Sequence, residues 1–225
     1  MSEPAPEPEH TDARYAEVLS FPSARELGRR LPALVFGVAM IGFGIAISVR
    51  AELGLAPWDV LHQGIAEHTG LEIGTVVVLV GFVVLLAWIP LHQRLGIGTI
   101  VNTISIGLLA NLGLYLIPVQ HRLVVRIPLL LVSVVFFGIG GGLYIGAGLG
   151  PGPRDGLMTA ITARGHRLWI VRTAMECSVL LAGIVLGGQF GVGTVLIAFS
   201  IGPATHLGLR WFHMPVPRDG EVLGE

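Results

Sequence analysis

Apolar residues run through this chain in six long blocks, at about 31–49, 73–91, 97–117, 127–147, 169–187 and 191–211. The intervening stretches collect charge, proline and paired glycine. About 20 consecutive apolar residues are needed to cross the hydrocarbon core of a bilayer. Each block comes close to that length, so the pattern predicts an all-α membrane protein with six transmembrane helices. The second and fifth blocks are rich in Val and Leu, the first, fourth and sixth in Gly. Glycine is poor helix material in water, but in lipid it lets helix backbones approach closely.

Two of the interruptions resemble each other. "GLAPWD" (54–59) and "GLGPGPRDG" (148–156) both stop a block with glycine, leucine, proline and an aspartate. They belong to a longer duplication. Gly42, Ala46, Gly54, Pro57 and Asp59 align with Gly138, Gly142, Gly150, Pro153 and Asp155, all at an offset of 96. Leu71 and Ile73 then meet Leu168 and Ile170, and "GIGT" (96–99) meets "GVGT" (191–194) at an offset of 95. Each copy reads as span, Gly/Pro break, short helix, span, GxGT turn, span. Three crossings is an odd number, so the second copy is expected upside down relative to the first. Charge gives a separate check. The stretch 50–72 holds Glu52, Asp59, Glu67 and Glu72 against Arg50, whereas 150–168 holds Arg154, Arg164 and Arg167 against Asp155. Opposite bias in matching loops suits opposite membrane faces, the inverted-repeat arrangement common in secondary transporters.

The prolines at 57 and 153 disfavour helix in the residue before them. The stretches just after them, "WDVLHQGIAEH" and "DGLMTAITARG", are expected as two short amphipathic helices, the first with Trp58, Leu61 and Ile65 on one face. Neither can cross a bilayer. Each is expected at the interface or as a re-entrant segment, which is tolerated where protein or water satisfies its backbone.

Composition narrows the class. Of 225 residues, 52% are hydrophobic and 13% charged; soluble domains carry about 25% charged residues. Residues 1–30 are acidic, then basic, and proline-rich, and read as a disordered cytoplasmic tail. The membrane domain is expected over 31–211, as repeats at about 31–117 and 127–211, with a C-terminal tail at 212–225. The N-terminal tail is not a signal peptide, because the first apolar block starts only at Leu31. A net charge of −1 and the lack of a basic stripe with interleaved aromatics give no sign of nucleic-acid binding. The single cysteine, Cys177, excludes an internal disulfide and, in its apolar run, reads as a packed core thiol.

Arginine placement sets orientation, since basic residues favour the cytoplasmic side. With the N-terminus inside, nine arginines (25, 29, 30, 94, 154, 164, 167, 210 and 218) fall inside and three (50, 122 and 126) outside. Both termini are therefore expected in the cytoplasm.

Candidate chemistry is sparse. Asp59 and Asp155 stand at the starts of the short helices, where a carboxylate caps free N–H groups and meets the favourable end of the dipole. The alternative is that the two broken segments meet and line a substrate site, bringing in Arg154. Arg172 and Glu176 lie one turn apart in the fifth block and read either as an ion pair or, for Glu176, as a substrate- or proton-linked group. The third block offers Thr99, Asn102, Thr103, Ser105 and Asn111, the sixth Thr194, Ser200, Thr205 and His206. Hydrogen bonds between helices are their default role, with Asn102 a candidate lining group. Gly138, Gly142, Gly146 and Gly150 form a ladder that calls for a close helix partner, expected to be the first span through Gly42 and Ala46. His62, Glu67 and His68 do not match a metal-binding H-E-x-x-H, and no catalytic constellation or cofactor fingerprint is found, so neither an enzyme nor a metal or cofactor site is expected.

The stretches "GLAPWDVLHQGIAEHTGLEIGTV", "IGTIVNTISIGL", "GLGPGPRDGLMTAI" and "FGVGTVLIAFSIGP" resemble the bacterial YczE/YitT-type integral membrane protein family, over roughly residues 33–210. The resemblance implies a small multi-span protein of the bacterial plasma membrane, with small-molecule export only suggested for the family and no functional residues to carry over. The resulting expectation is a transporter of a small organic solute working by alternating access, plausibly as a homodimer. The competing expectation is an accessory or regulatory membrane subunit.

Overall fold

The structure, a computed structural model, describes residues 24–212, which are helix and connecting turns throughout. In chain order the helices are α1 (Ala24–Ala51), α2 (Pro57–Thr69), α3 (Ile73–Leu86), α4 (Trp88–Leu91), α5 (Ile97–Leu116), α6 (Leu123–Gly146), α7 (Pro153–Thr162), α8 (Leu168–Val185) and α9 (Val192–Phe212). Six stretches are long and apolar enough to cross a membrane: Arg25–Ala51, Ile73–Leu91, Ile97–Leu116, Leu123–Gly146, Leu168–Val185 and Val192–Phe212. They coincide with the six blocks. The first starts earlier than expected, so the arginines at 25, 29 and 30 belong to a helix and not to a tail. Residues 1–23 and 213–225, which hold most of the two expected tails, lie outside the described residues.

The centre is α1 against α6. Leu34, Val38, Ile41 and Ile45 form one buried face of α1 and share a core with Leu130, Phe137 and Tyr144 of α6. The two helices run antiparallel: Gly37 lies against Gly140 and Tyr144, and Gly44 against Phe136 and Phe137. α5 flanks α1, and α9 flanks α6. α3 and α8 are peripheral, with Leu79, Phe82, Val83, Leu181 and Val185 exposed. An apolar helix whose surface is largely uncovered by other helices is solvated by lipid, which accounts for the Val/Leu composition of these two.

The glycine ladder has a different partner from the one expected. Gly138 and Gly142 meet Ala204 and Gly208 of α9, while Gly42 meets Ile106, Leu109 and Ala110 of α5. The α1–α6 contact uses Gly140 instead. Two residues turn a helix by about 200°, so Gly138 and Gly140 serve opposite neighbours. Cys177 is exposed and not packed in a core. Its helix, α8, covers little of its surface against other elements, so an apolar run there meets lipid.

The two halves repeat the order long, short, long, long, and their contacts recur in matched pairs. The Gly98 N–H donates to the Leu149 carbonyl at 2.8 Å, and the Gly193 N–H to the Leu53 carbonyl at 2.7 Å. Thr99 Oγ1 accepts from the Gly96 N–H and Thr194 Oγ1 from the Gly191 N–H. Each GxGT turn thus closes on itself and clasps the break of the other half. Arg30 donates to the Ala147 carbonyl and Arg126 to the Ala51 carbonyl, so an arginine from each half satisfies the exposed carbonyl end of the other half's first span. Gly54 and Gly150, in the breaks, both have φ near +120° (116° and 122°), a conformation open to glycine.

One pair of contacts does not recur. In the first half, α3 lies flat on α5: the backbones of Gly74 and Gly107 touch, and Asn111 Oδ1 accepts from the Gly74 N–H at 2.7 Å. Asn111 Nδ2 donates to Glu72 Oε2 at 2.6 Å and to Thr75 Oγ1 at 3.3 Å. In the second half α8 and α9 barely touch, and Gly202, the counterpart of Gly107, faces open space. α8 packs on α2 instead, with Gly183 and Gly188 against the Val60–Leu61 backbone.

Candidate functional site

The breaks place both short helices with their N-terminal ends inside the bundle. Pro57 and Pro153 occupy the first helical turn of α2 and α7, where a missing N–H costs nothing. α2 is buried through Trp58, Asp59, Val60, His62, Gly64 and Ala66. The face expected to be buried, Trp58 with Leu61 and Ile65, is only partly so, because the polar side carrying Asp59 and His62 also points inward.

Neither aspartate caps its helix by a side-chain hydrogen bond; the caps are Ala56 and Gly152. Asp59, 3% exposed, has its Oδ1 at 3.3 Å from His62 Nδ1, one turn on. Asp155 Oδ2 accepts from the Tyr144 hydroxyl at 3.0 Å, and that hydroxyl accepts the Gly152 N–H. Tyr144 thereby ties the end of α6 to the start of α7. Both carboxylates keep the favourable position in the first turn, where each offsets the partial positive charge of the helix end.

The two breaks meet. The Arg154 guanidinium lies over the Trp58 ring, 5.5 Å from its centroid. These residues occupy the same position in the two copies, "PWD" and "PRD", at the offset of 96. Equivalent positions of two repeats can touch only where the halves meet, so this stacked pair marks the junction between them. Beside it lies a half-open cavity of ≈ 40 Å³ lined by Trp58, Asp59, His62, Asn102, Thr103 and Arg154, with Ile45, Val77, Val80, Val84 and Ile106 among its apolar walls. About 10–15 Å³ holds one water, so in this conformation the cavity has room for two or three waters and not for an organic solute.

Of the residues singled out in the sequence, Asp59, Arg154 and Asn102 line this cavity, and Asp155 stands next to Arg154 in the first turn of α7. Arg172 and Glu176 do not form an ion pair. Arg172 is exposed and Glu176 half-buried. Arg154, Arg172, Asp59 and Asp155 are the charged groups that surround Glu176. Five charged residues from α2, α7 and α8 thus form one electrostatic cluster. Of the polar residues expected to join helices, Thr99 donates to the Pro151 carbonyl at 2.7 Å and Asn111 joins α3 to α5.

Sequence reasoning missed Tyr144, His62 and Trp88. Trp88 is 1% exposed; its Nε1 donates to the Pro153 carbonyl at 3.1 Å, and its ring lies over Gly156, where a Cβ would overlap it. It is a wedge between α7 and α4, the end of the second span. A tryptophan near the end of an apolar span resembles an interfacial anchor, so its sequence context pointed elsewhere. His62 had a usable signal, lying one turn from Asp59.

Residues 28–209 match a family model described as a family of unknown function, DUF6198. The chain belongs to that family. It is 41% identical to an uncharacterized protein of Haemophilus influenzae over 178 residues, 79% of this chain and 82% of the relative. It is 33% identical to the uncharacterized membrane protein YczE of Bacillus subtilis over 170 residues, 74% of this chain and 79% of the relative. YyaS, an uncharacterized protein also of Bacillus subtilis, is 24% identical over 177 residues, 76% and 88% of the two chains. The expected kinship with YczE-type proteins therefore holds. No solved structure matches the chain.

Proposed function

We propose that this protein is a transporter of a small solute that works by alternating access between two inverted three-span repeats. The observation that carries the reading is the junction of the two breaks, where Trp58 stacks on Arg154 beside a cavity that the buried Asp59 also lines. Ionisable groups are costly among membrane spans and mark substrate or ion pathways. Paired discontinuous helices in matching positions are the sequence pointer to such a site. The antiparallel α1–α6 contact and the matched cross-half hydrogen bonds support the inversion.

The unmatched contact supports alternation. With the N-terminus inside, the closed α3–α5 seam lies toward the outer surface and the loose α8–α9 pair toward the cytoplasm. The conformation is then cytoplasm-facing, and its partner state arises when the halves exchange arrangements. α8 then closes on α9 at Gly202 while α3 lifts from Gly107. Thr75 and Asn111 correspond to Arg172 and His206, which gives a test. In a Cys177→Ala background, a cysteine pair at 75 and 111 is expected to crosslink readily. A pair at 172 and 206 should crosslink only as the second state is visited, and a transported solute should change that rate. A 172–206 pair that never crosslinks while flux proceeds would refute this motion.

Glu176 is the group assigned to proton coupling. Glu176→Gln in proteoliposomes is expected to uncouple or abolish flux while leaving assembly intact. Reporter tags in the exposed turns after the two short helices, at 70–72 and at 163–167, are expected on opposite membrane faces, and finding both on one face removes the inversion.

A further inference from the structure

The cavity wall contains an unusual juxtaposition, a cation on an aromatic face with a buried carboxylate beside it. Trp58 is 5% exposed and Asp59 3%, so both are fixed in the bundle. Arg154, by contrast, is exposed and extends from the first turn of α7 onto the Trp58 ring at 5.5 Å. The remaining walls include aliphatic side chains from α1, α3 and α5. An aromatic face, a carboxylate and aliphatic walls together suit a cation with an organic body, because the face of an indole attracts positive charge and the carboxylate neutralises it.

The other charges do not reverse this. Each short-helix end contributes roughly half a positive charge, and the aspartate in each first turn offsets it. Arg172 and Glu176 on α8, Asp155 on α7 and His62 on α2 leave Arg154 as the cation placed on the ring. At ≈ 40 Å³ the space left beside the guanidinium is too small for a solute. Space for a ligand therefore requires Arg154 to leave, and its departure uncovers a site already shaped for a cation.

The geometry points to a small organic cation as the ligand of this cavity: it takes the place of the Arg154 guanidinium on Trp58 and is neutralised by Asp59. Arg154 is a tethered occupant that competes with the ligand and returns when the ligand leaves. This rests on the reading of the cavity as a transport site.

Equilibrium dialysis of the purified full chain tests it, with radiolabelled tetramethylammonium and tetraphenylphosphonium as probes and benzenesulfonate as the anionic control. Saturable binding of a cation and none of benzenesulfonate is expected. Arg154→Ala should bind the cation more tightly, by about fivefold, the scale of one cation–π contact. Asp59→Asn should weaken binding by about tenfold or more, and Trp58→Leu more than Trp58→Phe. A gain of affinity in Arg154→Ala cannot come from misfolding, so the outcome does not depend on the stability of the other variants. Weaker cation binding in Arg154→Ala, saturable binding of benzenesulfonate, or no cation binding by either wild type or Arg154→Ala overturns the inference. Cation binding without flux in proteoliposomes sinks the transport reading alone. Flux of an organic anion with no cation binding sinks this inference and leaves transport standing.

Discussion

The second spans of the two halves, α3 and α8, occupy matching places in the chain and differ in how they are held. α3 is zipped to α5 by backbone contact at Gly74 and Gly107 and by the three hydrogen bonds of Asn111. α8 has almost no contact with α9 and rests on α2 through Gly183 and Gly188. The short helices differ in the reciprocal sense. α2 touches α8 backbone to backbone, whereas α7 meets the second span through the ring of Trp88 against Gly156. The invariant part is the centre, where α1, α6 and the two GxGT clasps pair symmetrically. The centre thus follows the internal similarity of the two halves, and the peripheral spans depart from it. The difference between halves then lies in contacts that can be exchanged.

The comparison is broken most severely at its glycines. Gly107→Leu places a side chain where the Gly74 backbone lies, with no flexible group to yield. Overpacking of this kind costs about 1–3 kcal/mol and more when backbone must move, so loss of the folded protein in detergent is expected. Gly202→Leu, its counterpart, meets nothing and should leave the thermal transition unchanged while blocking flux, since α8 can no longer close. Equal destabilisation by both would show that the observed difference between halves is not kept in solution.

Next in size is the wedge. Trp88→Ala removes a fully buried indole and should cost about 3–5 kcal/mol. Trp88→Phe keeps most of the volume and loses the bond to the Pro153 carbonyl, at about 1 kcal/mol. Thermal unfolding separates the two. A small effect of Trp88→Ala would mean that α7 is held by something else.

Smaller again is the seam. Asn111→Ala deletes three hydrogen bonds at the α3–α5 contact and should cost about 1–3 kcal/mol. His206→Ala, at the matching position, should change stability by under about 0.5 kcal/mol, as for a surface site. Smallest are the carbonyl clasps. Arg126→Ala and Arg30→Ala should each cost about 1 kcal/mol, with Arg126→Ala the larger because Arg126 also donates to the Glu52 carbonyl and pairs with the Glu52 carboxylate, and thermal unfolding is the check.

Much of this is legible in the sequence. Six spans and two short helices follow from block length and from Pro57 and Pro153. The convergence of Asp59, Arg154, Asp155 and Glu176 follows in part from the duplication, which flagged the breaks as a pair. Errors arose where sequence gives spacing without direction. The ladder at Gly138 and Gly142 announced a close partner, but only the fold shows that the partner is α9. Arg172 and Glu176 sit at pairing distance along a helix, yet no ion pair forms between them. Cys177 lies in an apolar run, and such a run cannot distinguish a core from a lipid-facing surface.

The sequence by itself determined which stretches are long and apolar enough to cross a membrane, where the helices break and which stretches share a pattern. Those properties depend on hydrophobicity, proline and glycine, which act locally and leave their mark on each segment. Only the tertiary structure decided that Trp58 and Arg154 meet, that Asp59 pairs with His62 inside the bundle, and that one half is zipped while the other is loose. Two copies with matching patterns specify matching helices, but they do not specify which copy closes. Helix packing in lipid turns on van der Waals fit between particular faces, and those faces meet only when all the spans are in place.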